Sequence, residues 1–366
     1  MKFVIMRENL LEPLQKITNI CINKSNLPIL NNILIKLKKN ILFLISHNLE
    51  IEISTKIKLC KIIKEGEISV SAKKFLEICR NFSYNDIMEI SLTNNRMTIK
   101  NNYISFVLSV LPSNLFPNFV NNKFLLKFNL LNFTLIKLIE STQFSMGIKD
   151  ARYYINGMLI KSKKNIMHTV TTDGYRISLC NYKNLNKIPD FSIIIPRKSI
   201  IELIKLLKKK KNSIINIKIN INSISFKFKK TLFTTKLING SFPSYNTIFN
   251  KKYNYFIEFN NNILKTAIKR VSIISNKNNI IYMNIKKNYA IIISKNEIEE
   301  IAKEKIKINY FGNNFKIAFN AKYIIDILNF FKCGFVNFLL NDDISSIKIE
   351  NKDNPYNSYI VMPIKL

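Results

Sequence analysis

The sequence predicts an α+β fold of three similar domains, each with two helices packed on curved antiparallel sheets. A unit of eleven residues recurs three times along the chain. Lys74, Lys198 and Lys322 hold the same place in it and lie 124 residues apart each time. Most of the remaining sequence reads as short strands in which apolar and polar residues alternate.

Each domain opens with a strand that runs into a helix, at 3–14, 126–139 and 256–268. The recurring unit follows at 70–80, 195–205 and 319–329. It is an extended apolar residue, a short entry, and a helix with apolar residues at helical spacing. Alternating strands such as 214–221 and 223–229 fill the space between. The first two domains close on Phe116-Pro117 and Phe242-Pro243, the third on Val361-Met362-Pro363-Ile364-Lys365-Leu366. The expected domains are therefore 1–122, 123–250 and 251–366.

A chain of 366 residues is too long for one ordinary core. Apolar residues are 47% and charged residues 22%, which excludes a disordered or fibrous chain. The net charge of +33 points to nucleic acid or an anionic membrane surface. It has a second reading. Only 7 of the 57 basic residues are Arg, and Asn reaches 52, the bias of a low-GC genome such as that of a reduced endosymbiont. Placement of the charge, rather than its total, must carry a functional argument. The five Cys form no CxxC pair and read as buried free thiols of a reducing cytosol, so a cytoplasmic location is expected. No signal peptide is expected, because Arg7 and Glu8 interrupt the start. The uncharged stretch 101–122 holds two Pro and six Asn, so it is no membrane span.

The second helix of each domain separates its residues into two faces. Phe75, Leu76 and Cys79 take one side, as do Ile200, Ile201 and Ile204, and Ile324, Ile325 and Leu328. Lys73 with Arg80, and Lys198 with Lys205 beside Arg197 and Lys208, take the other. Lys322, Asn329 and Lys332 repeat the pattern more weakly. A basic face repeated in this way tracks phosphates without reading bases.

Catalytic chemistry has little support. No GxxxxGK[ST], GxGxxG or HExxH is present, and His47 and His168 lack a neighbouring motif. Asp342-Asp343 is the one adjacent Asp pair and reads as a strand turn. An enzyme would need that pair to bind Mg²⁺. Glu299, Glu300 and Glu304 read as an acidic surface patch. Thr172-Asp173-Gly174 reads as a β-turn. No cofactor and no metal site are expected.

The short motifs left over resemble one family. They are Met1-Lys2-Phe3, Arg7-Glu8-Asn9-Leu10-Leu11, Leu27-Pro28-Ile29-Leu30, Asp150-x-Arg152-Tyr153-Tyr154-x-Asn156-Gly157, Thr171-Thr172-Asp173-Gly174-x-Arg176, Pro196-Arg197-Lys198 and the C-terminal tail. Together they resemble the bacterial β sliding clamps, the processivity subunits of DNA polymerase III, along the whole chain. The length is that of the enterobacterial members.

The resemblance implies the DNA clamp fold and a non-catalytic, head-to-tail ring of two chains around double-stranded DNA. It implies DNA contacts at Lys24, Lys73, Lys149, Tyr153, Tyr154, Arg197, Lys198 and Lys205. It implies a hydrophobic groove for short peptides at Ile155, Thr172, Gly174, Tyr175, Arg176, Ile177, Pro243, Thr247, Ile248, Asn320, Tyr323, Ile344, Ser346, Ile360, Met362, Pro363, Ile364 and Lys365. The peptides would come from the polymerase III α subunit, the clamp loader δ subunit and other proteins with a clamp-binding motif. The ring seam would set Lys74, Arg96, Tyr103, Phe106 and Leu108 against Ile273, Ile274, Glu300 and Glu304. Three residues depart from the family pattern: Tyr175 for His, Thr247 for Arg, and Tyr103 for a basic residue. Related clamps are acidic overall, so the basic charge here implies added nonspecific adhesion to DNA. A monomeric repeat protein that coats nucleic acid is the alternative to a ring.

Overall fold

A computed structural model describes every residue apart from 22–26, 118, 120–123, 184–186, 209–212, 277, 333, 343–344 and 366. The same order of elements is found three times. The first repeat runs β1 (Lys2–Met6), α1 (Arg7–Ile17), β2 (Asn32–Lys38), β3 (Ile41–His47), β4 (Ile51–Lys58), β5 (Lys61–Lys64), β6 (Gly66–Ser71), α2 (Ala72–Asn81), β7 (Ile87–Thr93), β8 (Arg96–Lys100) and β9 (Ser105–Leu111). The second runs β10 (Leu126–Leu131), α3 (Asn132–Thr142), β11 (Gly157–Lys163), β12 (Ile166–Thr172), β13 (Arg176–Lys183), β14 (Phe191–Pro196), α4 (Arg197–Leu207), β15 (Ile214–Ile219), β16 (Ser223–Phe228) and β17 (Thr231–Lys236). A one-turn helix, α5 (Asn246–Phe249), precedes the third. That repeat is β18 (Tyr255–Asn260), α6 (Asn261–Val271), β19 (Ile280–Lys286), β20 (Tyr289–Lys295), β21 (Ile301–Lys307), β22 (Phe315–Asn320), α7 (Ala321–Phe331), β23 (Phe335–Leu340), β24 (Ile347–Glu350) and β25 (Asn357–Val361). Among the described residues β5 has no counterpart in the other two repeats.

Tight hairpins hold these strands, and their chemistry explains the scarcity of glycine. Lys39-Asn40, Asn94-Asn95 and Lys164-Asn165 each join two strands with both residues at positive φ. Asn tolerates that region better than most side chains, so it takes the place usually given to Gly.

The sheets do not stop at the repeat boundaries. The chain forms two compact units, Met1–Leu135 with Ile201–Leu237, and Ile136–Ile200 with Ile238–Leu366. The first unit holds a 13-stranded sheet in which β17 pairs antiparallel with β4, from Thr231↔Thr55 to Thr235↔Ile51. The second holds an 8-stranded sheet, in which β13 pairs with β25, and a 4-stranded sheet ordered β21-β20-β19-β22.

One hydrogen bond recurs at the heart of each helix pair. The first residue of the first helix reaches a carbonyl in the last turn of the second, where backbone carbonyls run short of intrahelical donors. Arg7 Nε donates to the Cys79 carbonyl at 3.2 Å, Asn132 Nδ2 to that of Leu207 at 3.0 Å, and Asn261 Nδ2 to that of Leu328 at 3.2 Å. Apolar faces then close the core. Ala72, Phe75, Leu76 and Cys79 of α2 are buried while Lys73, Lys74 and Arg80 are exposed, as the helical spacing predicts. The thiols divide differently from expectation. Cys21, Cys79 and Cys180 are buried and free, but Cys60 is exposed in the turn between β4 and β5. Cys333 lies outside the described residues. Among the described residues no helix is long and apolar enough to cross a membrane.

His47 is buried at the end of β3, with its ring 5.0 Å from that of Phe119. Its Nδ1 accepts the Leu49 N–H at 2.9 Å. Loss of water, and then the charge of Lys236, pull its pKa down to about 4. The folded state therefore binds the proton less well than the unfolded chain. Its contribution is complete above about pH 6.5 and lost as pH falls toward 4, a change of about 3 kcal/mol. Urea melts across this window should show that loss, and His47→Gln should flatten it. Asn261→Ala should cost about 1 kcal/mol, because the Leu328 carbonyl loses one of its two donors and keeps the Lys332 N–H. An unchanged urea midpoint would refute that role.

Candidate functional site

In the second unit the turn from β12 to β13 is locked by its own side chains. Asp173 Oδ1 accepts the N–H groups of Tyr175 and Arg176, both at 3.1 Å. Thr172 Oγ1 accepts the Gly174 N–H at 3.0 Å and donates to the Arg176 carbonyl at 2.7 Å. Gly174 sits at φ +92°, and a Cβ there would come within 2.6 Å of Arg152 Nη2. Arg152 is itself held by Asp150, with Nε and Nη2 each 3.0 Å from a carboxylate oxygen.

The turn sends Tyr175 outward, 64% exposed, and Arg176 inward, 8% exposed. Every side of the Arg176 guanidinium is engaged. Nε donates to Asp173 at 3.0 Å, Nη1 to Asp326 of α7 at 2.8 Å, and Nη2 to the Phe144 carbonyl at 2.6 Å. Its face lies 4.4 Å from the centre of the Tyr323 ring and 5.6 Å from that of Phe144.

The C-terminal tail is laced onto this frame. Ile177 pairs with Ile360, and the Met362 N–H donates to the Tyr175 carbonyl at 2.9 Å. The Ile364 N–H donates to the Ala318 carbonyl at 2.7 Å. Beside it lies a small apolar cluster of Leu159, Val170, Leu179, Ile194, Phe249 and Ile360, with Tyr154, Ile177, Ile238, Phe242 and Tyr245 packed on it. Burial pushes the Tyr245 phenol up from its ordinary pKa. Ile248, Met362 and Ile364 remain 38%, 50% and 36% exposed. Exposed apolar side chains of this kind, beside an ordered tail, can take apolar side chains from an extended peptide.

The groove residues that the resemblance implies come from several segments of the chain. Thr172, Gly174, Tyr175, Arg176, Ile177, Ile360, Met362, Pro363, Ile364 and Lys365 belong to the turn, its ladder and the tail. Pro243, Thr247 and Ile248 come from the segment around α5, and Ile155 is buried ahead of β11. Asn320 ends β22 and Tyr323 lies on α7. Asn320 accepts the Lys322 N–H at 2.9 Å as the helix cap, and Tyr323 is the platform under Arg176. Ser346 is buried just before β24, and Ile344 lies outside the described residues. Asp326, Phe242 and Tyr245 are not among the residues expected here from the sequence, and Tyr154, expected at DNA, packs on the small apolar cluster. Phe242 was in view, in Phe242-Pro243, but only as the end of a repeat.

The basic positions are not all alike. Lys73 on α2 and Lys198 on α4 are exposed, and exposed Lys205 meets Glu202 at 2.7 Å. Lys149 is exposed at φ +54°, and Tyr153, 57% exposed, stands edge-on to Tyr154. Arg197 is the exception, because it is partly buried and its Nη1 donates to the Met146 carbonyl at 2.9 Å. Desolvation, then the charge of Arg176, lower its pKa from the ordinary arginine value. It anchors the loop that carries Lys149 instead of reaching freely into solvent. Lys24 lies outside the described residues.

The expected seam positions lie on and around two strands with bare edges. Beyond Val110 and Leu111, β9 pairs only with β8, and β21 only with β20, among the described residues. Phe106 and Leu108 lie on β9, Arg96 starts β8, and Tyr103 is 93% exposed between them. Lys74 is exposed on α2. Ile273 is 82% exposed and Ile274 half-buried after α6, and Glu300 is exposed before β21. Glu304 does not add to a free acidic patch, because Arg270 of the same unit grips it through Nε, at 2.9 Å, and Nη2. Asp342 accepts the Tyr255 hydroxyl at 2.8 Å, Asp343 lies outside the described residues, and among those described no three His, Cys, Asp or Glu converge on a metal position.

Comparison with known proteins gives a single answer. Residues 1–120, 129–244 and 246–365 match the family models of the N-terminal, central and C-terminal domains of the DNA polymerase III beta subunit. The beta sliding clamps of Buchnera aphidicola subsp. Rhopalosiphum padi, Haemophilus influenzae and Escherichia coli K12 are 39%, 35% and 35% identical, over the full length of both chains. The crystal structure of the DNA polymerase III subunit beta from Pseudomonas aeruginosa superposes with a TM-score of 0.96 at 31% identity, and the sliding clamp of Caulobacter crescentus with 0.95 at 25%. Each covers all of both chains. With its three matched domains and its full-length relatives, this chain belongs to the DNA polymerase III beta subunit family, the beta sliding clamps.

Proposed function

We propose that two copies close head to tail around duplex DNA and that the cleft built on Arg176 tethers the polymerase. As a sliding clamp the chain is a non-catalytic processivity factor of DNA replication. The cleft carries the rest of the reading. It offers three exposed apolar side chains over a floor fixed by hydrogen bonds, so a short linear motif can bind without first ordering the site. The polymerase α subunit, the clamp loader δ subunit and other carriers of such a motif are its proposed occupants. Tyr175 and Thr247, both exposed, set the rim that these peptides meet. Lys73, Lys149, Lys198 and Lys205, with Tyr153, are the proposed duplex contacts. Phosphate contacts hold no sequence information, which is what sliding requires. The proposed site of action is the bacterial cytoplasm.

Bare edges on β9 and β21 support the ring, since an unpaired strand edge is a template for another strand. The internal Arg270–Glu304 pair means that apolar contact and ladder pairing hold the seam more than ion pairs do. Ile273→Asp should therefore weaken dimerisation by about tenfold or more in sedimentation, and Glu304→Gln by less than about threefold. The reverse order would overturn this account.

Two further measurements test the function. After loading, the protein should stay on nicked circular plasmid at high salt and be lost from the same plasmid once linearised. Equal loss from both would favour a monomer that merely coats DNA. Ile248→Ala with Met362→Ala should weaken binding of a polymerase tail peptide by about tenfold or more, while retention on the circle is unchanged. Unaltered peptide binding would move the tether elsewhere.

A further inference from the structure

A trough of about 370 Å³ crosses the 13-stranded sheet of the first unit. It lies on the face turned away from α1. Ile51, Ile53 and Ile57 of β4 are buried on the side where α1 packs, so Glu52, Ser54 and Lys56 point the other way. The cross-strand row Lys218, Ser225, Thr234, Glu52 runs along its floor over β15, β16, β17 and β4. Lys227 stands in the next row, and Lys229 and Lys230 close one end at the β16–β17 turn.

Charge and shape both limit what can sit there. Five Lys line the trough, and Glu52 is the one carboxylate among its described lining residues. Burial pushes the Glu52 pKa up, and its Oε2 already accepts the Phe119 N–H at 3.3 Å. Phe119 and Phe124 form aromatic walls. Phe124 is 37% exposed, and Lys218 Nζ lies 4.7 Å from its ring centre. Lysines beside an accessible aromatic ring, on a sheet face rich in Ser, Thr and Asn, suit a strand with phosphates and unpaired bases. A duplex keeps its base faces stacked and could use only the lysines. An acidic peptide would leave the rings unused.

We propose that this trough is a second nucleic-acid site, taking a single strand with its phosphates on Lys56, Lys218 and Lys227 and a base against Phe124. It is separate from the proposed duplex contact at Lys73, which is on a helix. It does not depend on ring closure. It also gives the excess of positive charge a place to act.

The test uses the whole unloaded chain and a fluorescent oligothymidylate of about 20 nucleotides, followed by anisotropy at low salt. The triple variant Lys56→Gln, Lys218→Gln, Lys227→Gln should bind about tenfold more weakly, with a salt slope smaller by about 2. The triple variant Lys163→Gln, Lys183→Gln, Lys316→Gln loses the same charge at exposed positions elsewhere and should change affinity by about twofold at most. Phe124→Leu should cost about fivefold or more through lost stacking. Equal losses in the two triple variants would reduce the effect to general basic adhesion and overturn the site. An oligoglutamate bound as tightly, with the same response to the first triple variant and none to Phe124→Leu, would assign the trough to an acidic polypeptide instead. No binding of the oligothymidylate by the unaltered chain would also overturn it.

Discussion

A buried guanidinium is costly unless its nitrogens and its flat face are engaged, and Arg176 engages all three nitrogens and that face with groups from three parts of the chain. Asp173 comes from the turn beside it, Phe144 from the end of the second repeat's first helical segment, and Asp326 and Tyr323 from the last helix. None of these can move far without stranding a charge. The position of β13 is therefore fixed against α7, and so is the tail that pairs with it. The proposed cleft inherits its rigidity from that arrangement. Its apolar floor could be built in many ways, but the placement of Met362 over Tyr175 follows from the ladder that Arg176 anchors.

Periodicity made much of the fold legible. The helix faces, the strand-to-helix openings and the three repeats all depend on residues close together in sequence, where spacing is a direct measure of geometry. The resemblance named the residues proposed for the groove. What neither supplied were pairings at long range. Asp326 lies 150 residues from Arg176 and looks like any acidic residue on a helix. Arg197 shares its helix with exposed Lys198, yet a partner at Met146 turns it inward. Glu304 sits in an acidic run, but Arg270 on the neighbouring helix takes its charge. The exposure of Cys60 likewise depends on which side of a turn faces solvent.

The lysine and asparagine bias also separates into parts once the fold is known. Asn in hairpin turns performs a backbone task that Gly performs in most chains. Asn132 and Asn261 bind a helix end, and Asn260 and Asn320 cap helices with their side-chain oxygens. Those residues are structural whatever brought them into the chain. Lys56 and Lys218 on the polar face of the first unit's sheet cap no helix and close no turn but lie against aromatic rings, and their clustering there is what distinguishes them from a general surplus.

The ladders that join β17 to β4 and β13 to β25 bear on how such a chain could have arisen. A single repeat, cut free, would expose strand edges that the whole chain covers with its neighbour. Solvent could hydrate those edges, but another copy of the same repeat would match them in register and in apolar pattern. An ancestor with one repeat would thus have assembled through contacts of the kind now found inside the chain. Fusing the copies would convert an equilibrium that depends on concentration into a fixed neighbour. The bare edges of β9 and β21 are then the places where that conversion stopped.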